Sequence, residues 1–284
     1  MAPQLKNARI AFIGGGNMAS AIIGGLLPKG ISKDHIVVSE PYQPNRDKLA
    51  EKGVRTTASN DEASRDADVV ILAVKPQVAK TVCEELGGSW AAAGRDRLPL
   101  VVSICAGITL ASMAQWFGQG GRHPSPHVVR VMPNTPALVG EGATGLFASA
   151  DVSEDEKSLA SELLGSVSKA TEWVGREELL DVVTALSGSG PAYFFALVEH
   201  LIESATRLGL PREQATRLAK QTCYGAGKML VESSDEPSQL RQNVTSPNGT
   251  THAALVAFDQ AGLKQAVDDA VKAAAKRAEE LGKN

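Results

Sequence analysis

The chain is short of the residues that usually announce a compartment or a reactive centre. Its 284 residues contain three cysteines. Cys83, Cys105 and Cys223 are far apart and odd in number, which excludes a disulfide framework or a zinc-type spacing and fits a reducing cytoplasm. Neither sign of charge dominates: 29 Lys and Arg against 32 Asp and Glu leave −3, so no nucleic-acid partner is expected. No unbroken apolar run has the length of a membrane span. The leading stretch "MAPQLKNARIAF" lacks an apolar signal core, so a fold that starts at once, off the membrane, is expected. His123 and His127 are four apart, but "PSP" between them forbids a shared helical face, and no metal centre is expected. Internal repeats and low-complexity segments are absent too.

What is present alternates. "RIAFI" (Arg9–Ile13), "HIVVS" (His35–Ser39), "ADVVILAV" (Ala67–Val74), "LPLVVSIC" (Leu98–Cys105) and "HVVRVM" (His127–Met132) are apolar runs of strand length. Such runs suit strands buried on both faces, and the helical patterns between them, one around Arg46–Lys52, imply βαβ units in a parallel sheet. "ATGLFA" (Ala143–Ala148) and "ATEWV" (Ala170–Val174) would extend that sheet at one edge. The texture changes near Gly175, and from Glu177 onward only helical spacing appears. Pro191 and Pro211 sit where a first helical turn tolerates them, and Gly209 stops one helix before the next. The length suffices for two cores. The chain therefore reads as an α/β domain over residues 1–175 followed by an all-α domain over 176–284.

"AFIGGGNMAS" supplies Gly14-x-Gly16-x-x-Ala19 between a strand and a helix. Gly14 permits the tight turn, Gly16 lets a pyrophosphate approach the backbone, and Ala19 lets the helix pack on the strand. The helix N-terminus then offers N–H groups to phosphate. This is the Rossmann dinucleotide fingerprint in its required context. Ser39 and Glu40 end the second strand, where an acid takes ribose hydroxyls and favours NAD. Asn45, Arg46 and Lys48 follow, and they suit either a 2′-phosphate or a solvated helix start. Two further loops leave strand C-termini: "AVKPQ" (Ala73–Gln77), with Lys75 beside Pro76, and "SICAG" (Ser103–Gly107). Asn60 reads as a helix cap or as a contact to the adenosine ribose.

No acid–base constellation stands out. Ser187 and Ser189 in "SGSGPAYFF" lie in a glycine-rich helix start with Pro191 at its first position, not in a nucleophile elbow. That absence suits hydride delivery to a protonated imine, where the carbon is already electrophilic and the protein mainly positions two ligands. One more feature needs an anion. In "NVTSPNGTTHAAL" (Asn243–Leu255), a turn at Ser246–Gly249 runs into a helix that opens on Thr250 and Thr251. A helix mouth of this kind holds an anion, or the threonines simply cap it.

These residues resemble pyrroline-5-carboxylate reductases over essentially the whole chain. The resemblance rests on "FIGGGNM", "AVKPQ", "VRVMPNTPALVGEGATG", "TALSGSGPAYFF" and "VTSPNGTTHAAL", in that order. It implies a Rossmann domain followed by a helical domain that interlocks in a homodimer, with dimers assembling into rings such as a decamer. It implies reduction of 1-pyrroline-5-carboxylate to L-proline, the last step of proline biosynthesis, with NADP(H) as the cofactor and NAD(H) as the alternative. Cofactor contacts would come from Ile13, Gly14, Gly15, Gly16, Asn17 and Met18, from Ser39, Glu40 and Asn60, from Ala73, Val74, Lys75 and Pro76, and from Ile104, Cys105 and Ala106. The substrate carboxylate would lie on Ser246, Gly249, Thr250 and Thr251, with Asn243 nearby. The Thr251 hydroxyl would face the ring nitrogen as the catalytic group. Where many relatives carry glycine this chain has Asn248, which also tolerates a left-handed backbone. The rivals are a reductase of a six-membered cyclic imine, separated by assay on the two ring sizes, and a silent redox-sensing module, against which the intact Ser246–Thr251 mouth argues.

Overall fold

The computed structural model describes residues 3–95 and 97–282, so Met1 and Ala2 of the leading stretch lie outside it. Strand and helix alternate as β1 (Ile10–Ile13), α1 (Asn17–Leu26), β2 (Ile36–Ser39), α2 (Gln43–Ala50), β3 (Arg55–Thr57), α3 (Asn60–Ser64), β4 (Val69–Leu72) and α4 (Pro76–Ala92). Then come β5 (Leu100–Ser103), α5 (Leu110–Phe117), β6 (Val128–Met132), β7 (Gly142–Ala148), α6 (Glu154–Leu164) and β8 (Ser168–Trp173). The rest is helical: α7 (Leu179–Val183), α8 (Gly190–Arg207), α9 (Arg212–Glu232), α10 (Pro237–Asn243), α11 (Thr250–Gln260) and α12 (Leu263–Gly282).

The strands form one sheet in the order β3-β2-β1-β4-β5-β6-β7-β8. Strands β1 to β6 run parallel, β7 pairs antiparallel with β6, and β8 runs parallel to β7. The two expected extension strands are thus β7 and β8, at one edge. The order reverses between β1 and β4, the switch point where open α/β sheets bind ligands. The sequence reading lacks β3, because Arg55, Thr56 and Thr57 form a short polar run at the opposite edge and show no apolar signal. Helix α2 begins three residues before Arg46, at Gln43, with Pro44 in its first turn.

Strands β1, β4 and β5 are buried along their whole length. Alternate residues serve opposite layers. Ile10 and Phe12 join Ile22, Ile23 and Leu163 of α1 and α6; Ala11 and Ile13 join Ala79, Leu86 and Phe117 of α4 and α5. Each large side chain so buried contributes about 1.5–3 kcal/mol relative to exposure. Trp90 of α4 stacks on Phe117 of α5, with ring centroids 5.5 Å apart.

Packing divides the chain into two compact units: residues up to Gly188 together with those from Ala274 on, and Ser189–Ala273. In the first unit α7 lies on β6 and β7, and the end of α12 reaches Gly107, whose β-carbon would stand 3.2 Å from the Leu281 carbonyl. Residues 176–188 therefore pack with the sheet, whereas the division at 175/176 follows the change from strand to helix. In the second unit α8 packs along α9, and large apolar side chains stay exposed, among them Phe194, Phe195, Leu208, Tyr224 and Val231.

Thr184–Gly188 is a π-helical turn, so α7 and α8 run as one 29-residue helical stretch, Leu179–Arg207. By length and composition alone, this is the one stretch among the described residues able to cross a bilayer. Thr184, Ser187 and Ser189 break the apolar run in sequence but not the helix. The Thr184 and Ser187 hydroxyls donate to the Leu180 and Val183 carbonyls one turn back. The segment expected to start a helix is therefore already helical, and Pro191 is the second residue of α8, not the first.

Helix α1 owes its seat to a missing side chain. A β-carbon at Gly25 would stand 2.5 Å from both the Ser166 carbonyl oxygen and a Val167 methyl, while one at Gly24 meets only the Lys52 ammonium, at 3.7 Å. Gly25→Ala is expected to destabilise the fold by about 1–3 kcal/mol through overpacking. Gly24→Ala is expected to be neutral, or stabilising by up to about 1 kcal/mol through helix propensity. Urea unfolding midpoints of the two variants, read against the wild type, check the contrast.

Candidate functional site

Unit by unit, the expected site residues fall into two groups. The first lies along the carboxyl ends of the parallel strands. Backbone bonds continue the sheet one step past those ends: Gly14 N–H donates to the Ser39 carbonyl, Ala73 N–H to Ile13, Ile104 N–H to Leu72 and Glu40 N–H to Thr57. These bonds bring the loops after β1, β2, β4 and β5 side by side. Ile13, Gly14, Ser39, Glu40, Ala73 and Ile104 are thereby assembled at one edge.

Gly14 holds φ +101°, and a β-carbon there would stand 2.5 Å from the Ala73 carbonyl oxygen. The turn is thus open to glycine alone, and it presses β1 against the loop after β4. Gly15 is enclosed: its β-carbon would meet Leu49 at 2.7 Å and Glu40 at 3.2 Å. Gly16 differs from both. Its φ of −72° suits any residue, and a β-carbon there would find nothing within 4 Å. That open space lies at the N-terminus of α1, where Gly16 is the cap and no side chain accepts from the helix. The first N–H groups of a helix lack internal partners, so those following Gly16, beginning at Asn17 and Met18, face a cradle suited to a pyrophosphate. The residues present therefore fit a bound dinucleotide.

The loop after β4 opens α4: Lys75 is its cap and is exposed, with Pro76 in the first turn. Val74 is tied to the loop after β5 through a thiol. Cys105 Sγ donates to the Val74 carbonyl at 3.2 Å and lies 3.5 Å from that of Leu72. Burial pushes the Cys105 thiol up to about 11. The group is therefore a protonated strut at neutral pH rather than a nucleophile. Ala106 beside it is exposed.

At the β2 end the structure adds what the sequence leaves open. Glu40 is buried, and its carboxylate accepts from Gly15 N–H at 2.8 Å and Tyr42 N–H at 3.0 Å. Arg46 donates to the Glu40 and Pro41 carbonyls and to the Gln43 side chain, bracing the turn into α2. Asn60 does not cap α3; Ser59 does, accepting from Glu62 N–H. The Asn60 amide instead accepts from Ser39 Oγ at 2.7 Å and donates to Glu85 of α4 at 2.9 Å. Glu85 is absent from the sequence reading. It lies 25 residues from Asn60, and no local pattern marks it.

The second group lies in the helical unit. The turn after α10 places Asn248 at φ +58°, the left-handed conformation that asparagine tolerates. Gly249 caps α11, and no side chain accepts from the helix start. Thr250 and Thr251 are the first two helical residues, so their hydroxyls are not the cap. Among the described residues neither they nor Ser246 make a side-chain hydrogen bond, and Thr251 is half-buried. Asn243 ends α10, its side-chain oxygen accepting from Gln239.

Comparison with known proteins matches both halves of the chain. A family model described as "Pyrroline-5-carboxylate reductase dimerisation" matches residues 177–281, and one described as "NADP oxidoreductase coenzyme F420-dependent" matches residues 9–107. The pyrroline-5-carboxylate reductase of Pseudomonas aeruginosa is 47% identical over 98% of each chain. The solved pyrroline-5-carboxylate reductase of Coxiella burnetii is 42% identical, with a TM-score of 0.90 over 98% of this chain and 99% of that one. The Plasmodium falciparum pyrroline carboxylate reductase, solved with NADP bound, is 29% identical, with a TM-score of 0.82 over 98% and 99%.

The contrast between the glycines separates binding from folding. Gly16→Val is expected to abolish measurable dinucleotide binding and keep the thermal midpoint, because its β-carbon enters the open cradle with no protein atom within 4 Å. Gly14→Val is expected to lower the midpoint itself, because φ +101° and the Ala73 carbonyl both oppose a β-carbon. Dinucleotide titration beside differential scanning calorimetry checks both; normal affinity in Gly16→Val would overturn the cradle.

Proposed function

The chain belongs to the pyrroline-5-carboxylate reductase family, and we propose that the helix mouth at Thr250–Thr251 binds the carboxylate of its substrate. The enzyme is an NAD(P)H-dependent oxidoreductase acting on the CH–NH group. It reduces 1-pyrroline-5-carboxylate to L-proline, the last step of proline biosynthesis. Bound in the cleft of the sheet domain, a reduced nicotinamide dinucleotide supplies the hydride. The backbone N–H groups after Gly16 hold its pyrophosphate, Ser39, Glu40 and Asn60 its adenosine ribose, and the loops Ala73–Pro76 and Ile104–Ala106 flank the remainder.

The observation that carries the substrate assignment is the uncapped start of α11. A carboxylate there meets unpartnered N–H groups and the positive end of the helix dipole, for the reason a phosphate suits α1. Ser246, Gly249 and Thr250 line that mouth, with Asn243 at the end of the preceding helix. The half-buried Thr251 hydroxyl, with no internal partner, accepts from the protonated ring nitrogen and fixes the iminium. The imine carbon is already electrophilic once the nitrogen is protonated, so orientation supplies much of the acceleration. No buried acid or base is required of the chain.

The assignment divides labour at 175/176. Residues 1–175 hold the dinucleotide, and residues 176–284 hold the substrate and the oligomer contact. Oligomerisation runs through the helical segment that the dimerisation model matches. The assembly is a homodimer at least, with dimers joining in a ring such as a decamer, and it works in the cytoplasm. Exposed Phe194 and Phe195 on α8 support this reading, since a lone soluble chain rarely leaves such apolar surface uncovered. The same cover accounts for the apolar character of Leu179–Arg207 without a membrane.

Thr251→Ala is expected to lower kcat/KM roughly 10- to 150-fold, the loss of one hydrogen bond to a charged group of about 1.5–3 kcal/mol. Dinucleotide affinity should stay within about twofold. Steady-state assay with the five-membered imine and titration of the cofactor measure the two arms, and wild-type turnover in the variant would sink the substrate assignment. Sedimentation of the full chain should show a dimer or larger species. Phe195→Asp should shift it toward monomer, since a charge buried in an apolar contact is costly.

A further inference from the structure

On the reading that the dinucleotide lies in the sheet domain and the substrate carboxylate at α11, we propose that Asn134 is a positioning residue for the reduction. It replaces a hydrogen-bond donor that Pro191 removes from the helix, and so holds α8 in the rotation that the reaction needs.

The sequence sets a local conflict. Pro191 lies inside the continuous helical stretch Leu179–Arg207. A proline there has no N–H for the carbonyl four residues back, and its ring crowds that carbonyl. The residue four back is Ser187. Ala192, the next backbone donor along the helix, gives its N–H to the Ser189 carbonyl at 3.0 Å. Two features resolve the conflict. The helix widens into the π turn at Thr184–Gly188, just ahead of the proline. The Ser187 carbonyl then takes its donor from outside the helix, from Asn134 Nδ2 at 3.1 Å.

Asn134 is placed for this role. It stands two residues past the end of β6 and is 7% exposed. Its amide oxygen accepts from Ala143 N–H of β7 at 2.9 Å, which leaves the amide nitrogen to face the turn. Met132 approaches the same turn: a β-carbon at Gly188 would stand 2.6 Å from its terminal methyl. The sheet edge thus grips the π turn by one hydrogen bond and one packing contact.

The chain leaves its first compact unit at Gly188 and returns to it at Ala274, so the turn ends where the second unit begins. A π turn holds one residue more than an α turn, and one residue rotates all that follows by roughly 100° about the helix axis. The turn therefore has two discrete settings, and Asn134 selects one. Hydride transfer requires two ligands, held on different units, to be aligned, and a small misplacement slows it without weakening the hold on the dinucleotide. Asn134 acts through Ser187 and α8, not on the reacting atoms.

The test is steady-state kinetics of the full-length enzyme with NADPH and 1-pyrroline-5-carboxylate, beside dinucleotide titration and thermal midpoints. Asn134→Asp keeps the acceptor for Ala143 but turns a carboxylate toward the Ser187 carbonyl. Its kcat is expected to fall roughly 10- to 100-fold at about pH 8, with dinucleotide affinity within about twofold. Burial raises the pKa of the new acid, and below that pKa the protonated carboxyl can donate to Ser187. The deficit relative to wild type should therefore shrink to roughly a few-fold by about pH 6. Pro191→Ala is the second arm and serves if Asn134→Asp fails to fold. It returns an N–H to the Ser187 carbonyl and lets the π turn close. Its thermal midpoint should hold or rise, while kcat falls roughly tenfold. An amide with a merely structural role predicts wild-type kcat in Pro191→Ala. Wild-type kcat in either folded variant overturns the proposal, as does an Asn134→Asp deficit that does not move with pH. Thr251→Ala reports on the substrate mouth separately, so a deficit there beside wild-type kcat here overturns the positioning role alone.

Discussion

The close approach of Gly14 to the Ala73 carbonyl governs the cofactor half of this molecule. That contact joins the turn after β1 to the turn after β4, the two strands that flank the reversal in sheet order. With a side chain in between, the loops would part and α1 could not aim its N-terminus along the strand ends. Everything downstream in the cleft inherits this spacing. Gly16 can face open space because Gly14 and Gly15 are packed, and Ala19 seats the helix against the sheet from beneath. Phosphate recognition here is a property of backbone placement more than of any charged side chain.

The same cleft is held together by groups that are not themselves reactive. Cys105 links two loops through a thiol that burial keeps protonated. Arg46 braces a turn through carbonyls. Glu40 fastens the glycine loop to the end of β2. Each is a polar residue whose donors or acceptors are largely committed inside the protein, which pre-organises the site before any ligand arrives and lessens the ordering cost of binding. The helical unit follows the opposite logic. The start of α11 has free hydroxyls and no side-chain cap, and large apolar side chains of the unit are exposed. The helical segment is the one matched by the dimerisation model, and the proposed carboxylate site lies within it.

A reaction that asks little of the protein in proton transfer suits this division. No acid–base constellation stands out in the sequence, which fits an imine carbon activated by its own protonation. What remains is to align donor and acceptor and to neutralise one carboxylate, and in the proposed reading the N-termini of α1 and α11 take two different anions by the same physics. Chemistry of this kind leaves few marks in composition, which is why the amounts of cysteine, histidine and net charge mostly excluded functions rather than pointing to one.

The sequence by itself determined the parts that depend on neighbours in the chain. Apolar runs in β1, β4, β5 and β6 mark strands buried on both faces, the glycine spacing marks the phosphate loop, and the turn before Thr250 marks a helix mouth. Each is a short-range pattern with one physical solution, and each stands in the structure at its expected place. Tertiary structure alone decided the rest. Strand β3 has no apolar signal because it lies at an edge. The glycine-rich stretch from Ser187 reads as the start of a new helix, yet the π turn at Thr184–Gly188, its hydroxyls bonded back to the preceding turn, is already helical. Asn60 passes for a cap until Ser59 is seen to hold that position, and its partner Glu85 comes from a helix far along the chain. Arg46 reads as a 2′-phosphate contact or a solvated helix start, and in the structure it donates to the carbonyls beside it. Where a polar side chain directs its hydrogen bonds depends on which distant backbone atoms the fold brings within reach, and local pattern carries no record of that.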